Sequence, residues 1–204
     1  MLDLCGPMKV MSIGGSRYFL VLEDGLSKMV FVYFLKNKSE ALNKLKEFKL
    51  FIENQKGHKI KCFRSDNGGE FCSTDFESFL RSNGIAHQKT NPYCPQQNGT
   101  SERMNRTLVE MARCLLFDAD LPKEFWAEAI NTAAYLRNRS VVSGLKGRTP
   151  YELFYGKKPD VSHVRVFGSE VMVHIPKEKW LKFDKKSEKM FLVGYGQNVK
   201  DGNY

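Results

Sequence analysis

The segment RSDNGGEF, residues 64–71, places an acidic residue where the chain has to turn sharply. It continues an apolar and basic run, residues 60–63, that is typical of a β-strand, and Asn67 and the two glycines after it favour a turn. Asp66 therefore lies at the end of a predicted strand. Two interpretations stay open at this point. The carboxylate shapes the turn through its own oxygens, as in most Asp-Asn-Gly turns, or it holds a metal ion at the edge of a sheet.

The residues upstream of this segment predict three adjacent antiparallel strands followed by a helix. The strands correspond to LDLCGP at 2–7, SRYFLVLEDG at 16–25 and KMVFVYFL at 28–35, and the last two are joined at a hairpin signal, Asp24-Gly25. From Ser39, a plausible N-cap, apolar residues recur at helical spacing until Gly57, a plausible stop.

The residues downstream predict a second alternation of helix and strand. A short amphipathic helix covers 74–84 with Thr74 as its cap, and IAHQKT at 85–90 is a strand. The stretch NPYCPQQNG at 91–99 contains two prolines and an Asn-Gly pair, so it is expected to be a mobile loop. Two helices are expected after it, over 100–117 and 122–138. The order predicts a mixed sheet flanked by helices.

The pattern of predicted helices and strands divides the chain into three parts. Residues 1–140 carry the α/β pattern, residues 141–160 form a connecting segment, and residues 161–204 show short alternating strands that predict a small, incomplete β module. The module contains a basic run, KEKWLKFDKKSEK at 177–189. These lysines could contact phosphates or could form an ordinary solvated surface, and the two interpretations are equally supported.

Composition excludes several classes of protein. A chain of 204 residues with 42% hydrophobic residues is long and apolar enough for one substantial core. The formal net charge of +9 favours a polyanionic partner such as nucleic acid, although solvated lysines alone could produce it. The five cysteines form no CxxC pair and their number is odd, so neither a disulfide framework nor a zinc site is expected, and a reducing compartment fits better. No apolar run predicts a membrane span or a secretion signal.

Three acidic residues fall where the predicted elements bring chain segments together. Asp3 lies in the first strand, Asp66 ends the fourth, and Glu102 lies in the first turn of the helix after the loop. If the first and fourth strands are neighbours and the helix packs beside them, the three carboxylates converge. Such a cluster is costly unless divalent cations neutralise it, and oxygen ligands without histidine or thiolate suit Mg²⁺, with Mn²⁺ as a substitute. With 23 acidic residues in the chain, the triad alone is a weak signal.

Motifs along nearly the whole chain resemble one family, the integrases of copia-type long-terminal-repeat retrotransposon Pol polyproteins. They are DLCGPM at 3–8, RSDNGGEF at 64–71, NPYCPQQNGTSERMNRTL at 91–108, FWAEA at 125–129, TPYELFYGKKP at 149–159 and VRVFG at 164–168. The resemblance implies a ribonuclease-H-like core followed by an SH3-like β module. It also assigns the acidic triad to Asp3, Asp66 and Glu102, with 35 residues between the last two, as is typical of the family.

The resemblance implies metal-dependent phosphoryl transfer on DNA. Water first trims the ends of the element's cDNA, and the freed 3′-hydroxyl then attacks a phosphodiester of target DNA, so the partners are cDNA ends and target DNA. Relatives act as multimers, and chemistry on chromosomal DNA implies action in the nucleus. The zinc-binding region before the core and the reverse transcriptase after it are missing, so the chain is expected to be a fragment of a polyprotein.

Six residues are predicted to contact DNA. Asn105 and Arg106 share a helical face with Glu102, and Arg113 lies further along the same helix. Resemblance to retroviral relatives adds Tyr93 and Asn98, and Lys89 precedes their loop. The alternatives are a solvated charge for Arg106 and a packing role for Tyr93.

Other residues have simpler explanations. Asp24 is expected to serve its turn, and Phe125 and Trp126 are expected to be core or interface aromatics. Cys94 is expected to be incidental, and Glu70 either lies near the acids or faces solvent.

The alternative to an enzyme is a catalytically inactive relic that only binds nucleic acid. Intact acids at all three positions favour the enzyme, and the missing flanks favour the relic.

Overall fold

The computed structural model describes residues 1–90, 95–181, 183–196 and 202–203, and for 95–101, 179 and 202–203 it describes the backbone only. The first three strands pair as predicted. Strands β1 (Leu2–Cys5), β2 (Tyr18–Glu23) and β3 (Val30–Leu35) form an antiparallel sheet in that order. In the β2–β3 turn, the Asp24 carboxylate accepts hydrogen bonds from the backbone N–H and the hydroxyl of Ser27, at 2.8 and 2.6 Å. This confirms that Asp24 serves the turn.

Strand β2 lies at the centre of this sheet and is buried on both faces. Leu20 and Leu22 belong to one apolar cluster, whereas Phe19 and Val21, on the opposite face, belong to another. Successive side chains of a strand point to opposite faces, so an uninterrupted apolar run is what a strand between two cores requires. The sheet therefore separates the fold into two packed layers.

The next helices and strands follow the predicted order, and their buried apolar residues belong to the first cluster. They are α1 (Ala41–Lys56), β4 (Cys62–Ser65), α2 (Thr74–Ser82) and β5 (Ala86–Lys89). Helix α1 ends at Gly57, as predicted, in the left-handed conformation with φ 65°. The predicted caps were wrong by one or two residues. Ser73 rather than Thr74 caps α2, and α1 is preceded by a 3₁₀ turn in which the Glu40 carboxylate accepts from the backbone N–H of Asn37.

The second layer is built from two long helices, α3 (Pro95–Asp118) and α4 (Trp126–Arg139). The expected loop over 91–99 was wrong from Pro95 onward, because α3 begins there; residues 91–94 lie outside the described part. Proline is well tolerated at a first helical position, where its missing N–H would have no partner in the helix. Further along α3, buried Leu108 and Ala112 belong to the same core as α4.

Strands β4 and β5 form a parallel pair of their own beside the first sheet. Strand β1 lies next to β4, as predicted, and α3 lies against β1. No ladder of strand hydrogen bonds joins β1 to β4 among the described residues, so the single mixed sheet that the sequence predicted is two ladders side by side. This arrangement brings β1, the end of β4 and the start of α3 to one place.

Helix α4 is fastened to strand β3 by one buried amide. Asn138 is 4% exposed; its Oδ1 accepts from the Val30 N–H at 2.9 Å and its Nδ2 donates to the Val30 carbonyl at 2.7 Å. Nothing in the sequence pattern singled out this residue. Trp126, at the other end of α4, is buried in the second core, which confirms the expected core role.

The remaining residues form a short helix and two strand pairs. Helix α5 covers Pro150–Tyr155, β6 (Glu170–His174) pairs with β7 (Ser187–Phe191), and β8 (Gly194–Tyr195) pairs with β9 (Gly202–Asn203). Tyr195 stacks on Tyr135 of α4 with 4.5 Å between ring centroids. The short strands occur where they were predicted, while the SH3-like assignment and the boundaries at 140 and 160 stay predictions. Within the described residues, no helix has the length and apolar character that a membrane crossing requires.

Candidate active site

Asp66 directly follows β4, in the tight turn that the sequence predicted. Its Oδ1 accepts a hydrogen bond from the Gly68 N–H at 3.0 Å, so the carboxylate does shape the turn. The space around Gly68 is tight: a Cβ there would lie 3.0 Å from Asp66 Oδ1 and 3.1 Å from the Glu70 carboxyl group. An added methyl group would push these two carboxylates, whereas Gly69 has open space around it.

Asp3 lies in β1, on the side that faces α3. Leu2 points the other way and is buried in the first core. The Nδ2 atom of Asn105, on α3, donates a hydrogen bond to Asp3 Oδ2 at 2.9 Å. The Oδ1 atom of Asn105 is buried and has no hydrogen-bond partner among the described residues. Helix α3 is thus joined to β1 directly at the predicted catalytic aspartate.

Glu102 and Glu70 add negative charge around Asp3. Glu102 is exposed on α3, one turn before Asn105. The Glu70 side chain is only 13% exposed, and its Oε2 lies 3.9 Å from the ammonium group of Lys38. The sequence left open whether Glu70 lies near the acids or faces solvent; the structure places it beside Asp66. Its position four residues after Asp66, across a Gly-Gly pair, is the signal that could have indicated this.

The pKa of Asp3 depends on its burial and on the charges of the acidic residues around it. Burial, followed by the charges of Asp66, Glu102 and Glu70, raises the pKa of Asp3 to about 6. A backbone hydrogen bond from Leu4 opposes them. Like charges close to a carboxyl group favour its protonated form. The three predicted acids are therefore coupled through their charges.

Among the described residues, the three acids do not form a metal-coordinating group. Over the residues that the structure describes, no three His, Cys, Asp or Glu side chains lie together in a geometry that could hold a metal ion. The charges of Asp66 and Glu102 act on Asp3, and the roles of the three residues as metal ligands stay predictions. The chemistry of the donors still suits a hard cation, because a divalent charge offsets the repulsion between neighbouring carboxylates.

The pKa of Asp3 makes stability depend on pH. Between pH 3.8 and about 6 the folded state binds more protons at this carboxyl than the unfolded state, so stability falls as pH rises through that window. We expect Asp3→Asn, which keeps an acceptor for Asn105, to stabilise the fold at pH 7 by roughly 2 kcal/mol, below the upper bound of about 3 set by two pH units. Urea unfolding at pH 4 and pH 7 measures this.

The matched control for this stability prediction is Asp75→Asn on the exposed surface of α2. It should give no such gain. A gain for Asp3→Asn that is the same at pH 4 as at pH 7 would contradict the proposed charge repulsion.

The structure separates the predicted DNA-contacting residues into three groups. Arg106 and Arg113 are exposed on α3. Lys89 is paired with Glu77 at 2.7 Å, and Asn105 is held by Asp3, so neither side chain is simply presented to solvent. Tyr93 and the side chain of Asn98 lie outside the described part, as does Cys94. The DNA contacts of all six residues stay predictions.

Sequence comparisons identify relatives over almost the whole chain. A family model for the integrase core domain matches residues 2–95. The retrovirus-related Pol polyprotein from transposon TNT 1-94 of Nicotiana tabacum is 45% identical over 194 residues, which are 95% of this chain and 15% of that polyprotein. The corresponding polyprotein from transposon RE2 of Arabidopsis thaliana is 33% identical over 186 residues, 91% of this chain and 13% of its own length. The chain thus spans about one seventh of these relatives.

Solved structures share the fold at low sequence identity. The catalytic core domain of BIV integrase has a TM-score of 0.54 and 22% identity, covering 76% of this chain and 91% of that domain. The HTLV-2 integrase catalytic core, solved in complex with magnesium in a trimeric form, has a TM-score of 0.53 and 22% identity, covering 76% and 92%. A chain of the simian T-cell lymphotropic virus intasome, in complex with PP2A regulatory subunit B56 gamma, has a TM-score of 0.61 and 18% identity, covering 95% and 68%. These likenesses confirm the ribonuclease-H-like fold.

Proposed function

The chain belongs to the integrases of copia-type retrotransposon Pol polyproteins, and from this we propose that it joins DNA by metal-dependent phosphoryl transfer. The reaction would have two steps, trimming of cDNA ends by water and attack of the new 3′-hydroxyl on target DNA. The observation that carries the proposal is the coupled group of carboxylates around Asp3, whose pKa is raised to about 6 by burial and by neighbouring acids. Strongly perturbed pKa values in proteins cluster at functional sites.

We propose that Asp3, Asp66 and Glu102 hold the divalent cations of the reaction. Mg²⁺, or Mn²⁺ in its place, would activate the attacking oxygen and stabilise the leaving oxygen of the phosphodiester. The contribution of the protein is to place its own groups in advance. Asn105 orients Asp3 through its hydrogen bond, and the turn orients Asp66 through the Gly68 N–H. Positioning and charge neutralisation, without a covalent intermediate, account for catalysis of this kind.

We propose that the exposed arginines of α3 bind the DNA backbone near these acids. Arg106 lies on the turn that follows Glu102, and the net charge of +9 favours a polyanion. Lys89, Asn105, Arg113, Tyr93 and Asn98 are the further candidates. The partners in this proposal are cDNA ends, target DNA and other copies of the chain, in line with the trimeric form of the HTLV-2 core. The place of action would be the nucleus, where chromosomal DNA is located.

The proposed DNA contacts are tested by the salt dependence of binding. Each phosphate neutralised by Arg or Lys contributes a slope of about −0.9 to a plot of log affinity against log salt concentration. We expect Arg106→Ala to reduce the magnitude of this slope by about 1, and Arg148→Ala, an exposed arginine in the connecting segment, to leave it unchanged. Fluorescence anisotropy with labelled duplex DNA at several salt concentrations measures the slope. Equal slopes for the Arg106 variant and the unmodified chain would remove Arg106 from the interface.

A further inference from the structure

Several hydrogen bonds join the turn that contains Asp66 to β5 and to Thr90, the residue after it. The Thr90 N–H donates to the Ser65 carbonyl at 3.0 Å, and Asn67 Nδ2 donates to the Thr90 carbonyl at 3.0 Å. The side chains of Ser65 and His87 form a further contact at this turn. Ser65 Oγ donates to the Asp66 carbonyl at 2.9 Å and lies 2.9 Å from His87 Nε2. Ser65 and Asn67, on either side of Asp66, are therefore both tied to Thr90, the residue after β5.

The protons of this pair can be assigned from the contacts. The Ser65 hydroxyl has one proton, which it donates to the Asp66 carbonyl, so the Ser65 oxygen is the acceptor toward His87. His87 must then carry its proton on Nε2. Its Nδ1 is left as a bare acceptor, buried and without a hydrogen-bond partner among the described residues. A buried ring nitrogen without a partner is more easily tolerated as an acceptor in this neutral tautomer than as a charged donor.

The surroundings of His87 keep its ring in one orientation. The ring packs against Phe76 of α2 with 5.3 Å between centroids, and Ser65 is 1% exposed. In the parallel pairing of β4 with β5, His87 stands beside Phe63, two residues before Ser65. Burial lowers the pKa of His87, and the nearby Lys89 lowers it further. A neutral imidazole that donates from Nε2 is consistent with both observations.

We propose that His87 is a positioning residue for the reaction: through Ser65 it fixes the peptide carbonyl of Asp66 and so sets the direction of the Asp66 carboxylate. This inference rests on the proposed function, since it assumes that Asp66 takes part in DNA joining. His87 does not touch the reacting atoms and acts through Ser65 alone. Groups that orient a metal-binding carboxylate in this way affect activity about tenfold to a hundredfold when they are removed.

Two substitutions of His87 separate the hydrogen bond from the packing. His87→Phe keeps a ring against Phe76 and removes the donor, whereas the amide nitrogen of His87→Gln can reach the place of Nε2. We expect His87→Phe to lower kcat for manganese-dependent strand transfer about tenfold to a hundredfold with an unchanged KM for DNA, and His87→Gln to restore a rate close to that of the unmodified chain. The control is His58→Phe, at an exposed position after α1, with no effect.

Two measurements on the full chain do not require activity. NMR of the imidazole nitrogens should show the Nε2–H tautomer for His87, and hydrogen exchange of the Gly68 amide should be faster in His87→Phe than in His87→Gln. The inference is overturned if the Nδ1–H tautomer dominates, if exchange is equal in both variants, or if His87→Gln loses as much activity as His87→Phe. An unmodified chain without joining activity would refute the proposed function, and the tautomer and exchange results would still decide the role of His87.

Discussion

Replacing Asp66 with asparagine is expected to lower manganese-dependent strand transfer on oligonucleotides by about a thousandfold or more, equivalent to about 4 kcal/mol of transition-state stabilisation. The fold should survive, because an asparagine side chain also has an Oδ1 that can accept the Gly68 N–H bond. What the substitution removes is the negative charge. If Asp66 only shaped its turn, asparagine would serve equally well, so the measurement separates the two interpretations that the sequence left open.

The chain offers a matched control in Asp24. Like Asp66, it directly follows a strand and accepts hydrogen bonds within its own turn, in this case from Ser27. Asp24→Asn should therefore keep full strand-transfer activity. Unfolding curves for both variants should coincide with that of the unmodified chain within about 1 kcal/mol. Full activity in Asp66→Asn would refute the assignment of Asp66. An unmodified chain that binds DNA without forming product would favour the inactive relic.

Removing the side chain of Asn138 is expected to destabilise the fold by about 4 kcal/mol, which lowers Tm by about 10 °C for a chain of this size. Alanine leaves both the N–H and the carbonyl of Val30 buried without partners, and each unsatisfied group costs about 1–3 kcal/mol. The substitution also opens a small cavity between α4 and β3. Differential scanning calorimetry or urea unfolding measures the loss.

Asn131, two turns earlier on α4 and half-buried, is the comparison for this stability prediction. Asn131→Ala should change stability by less than about 1 kcal/mol, since helix propensity favours alanine. A loss for Asn138→Ala no larger than that for Asn131→Ala would mean that the buried amide does not fasten α4 to the sheet. Loss of the whole fold in Asn138→Ala would agree with the prediction.

The group around Asp3 illustrates a conflict between stability and the proposed function. Asp3→Asn should stabilise the chain at neutral pH and at the same time remove one of the proposed cation-holding carboxylates. Glu70, which the sequence left unassigned, lies within this group and is partly balanced by Lys38. A variant that combines Glu70→Gln with an intact triad should show a lower pKa for Asp3, because one of the charges that raise it is gone.

The sequence alone determined the elements whose signals are local. Strand-type composition on both sides of the Asp24-Gly25 hairpin signal predicted β2 and β3, helical spacing predicted α1, and Gly57 and Asp24 fulfilled the conformational roles that their residue types favour. The spacing of Asp66 and Glu102, together with the motifs around them, led to the correct family. These features depend on residues close together in the chain, where backbone geometry and residue type are enough.

Tertiary structure alone decided which distant groups meet. Asn138 bonds to Val30 across 108 positions and Asn105 bonds to Asp3 across 102, while His87 reaches Ser65 only because β4 and β5 run side by side. The start of α3 at Pro95 was likewise known only from the structure, since the sequence predicted a loop there. The sequence position of a polar side chain does not indicate its partner. Its role depends on burial, because most buried polar groups in proteins are hydrogen-bonded.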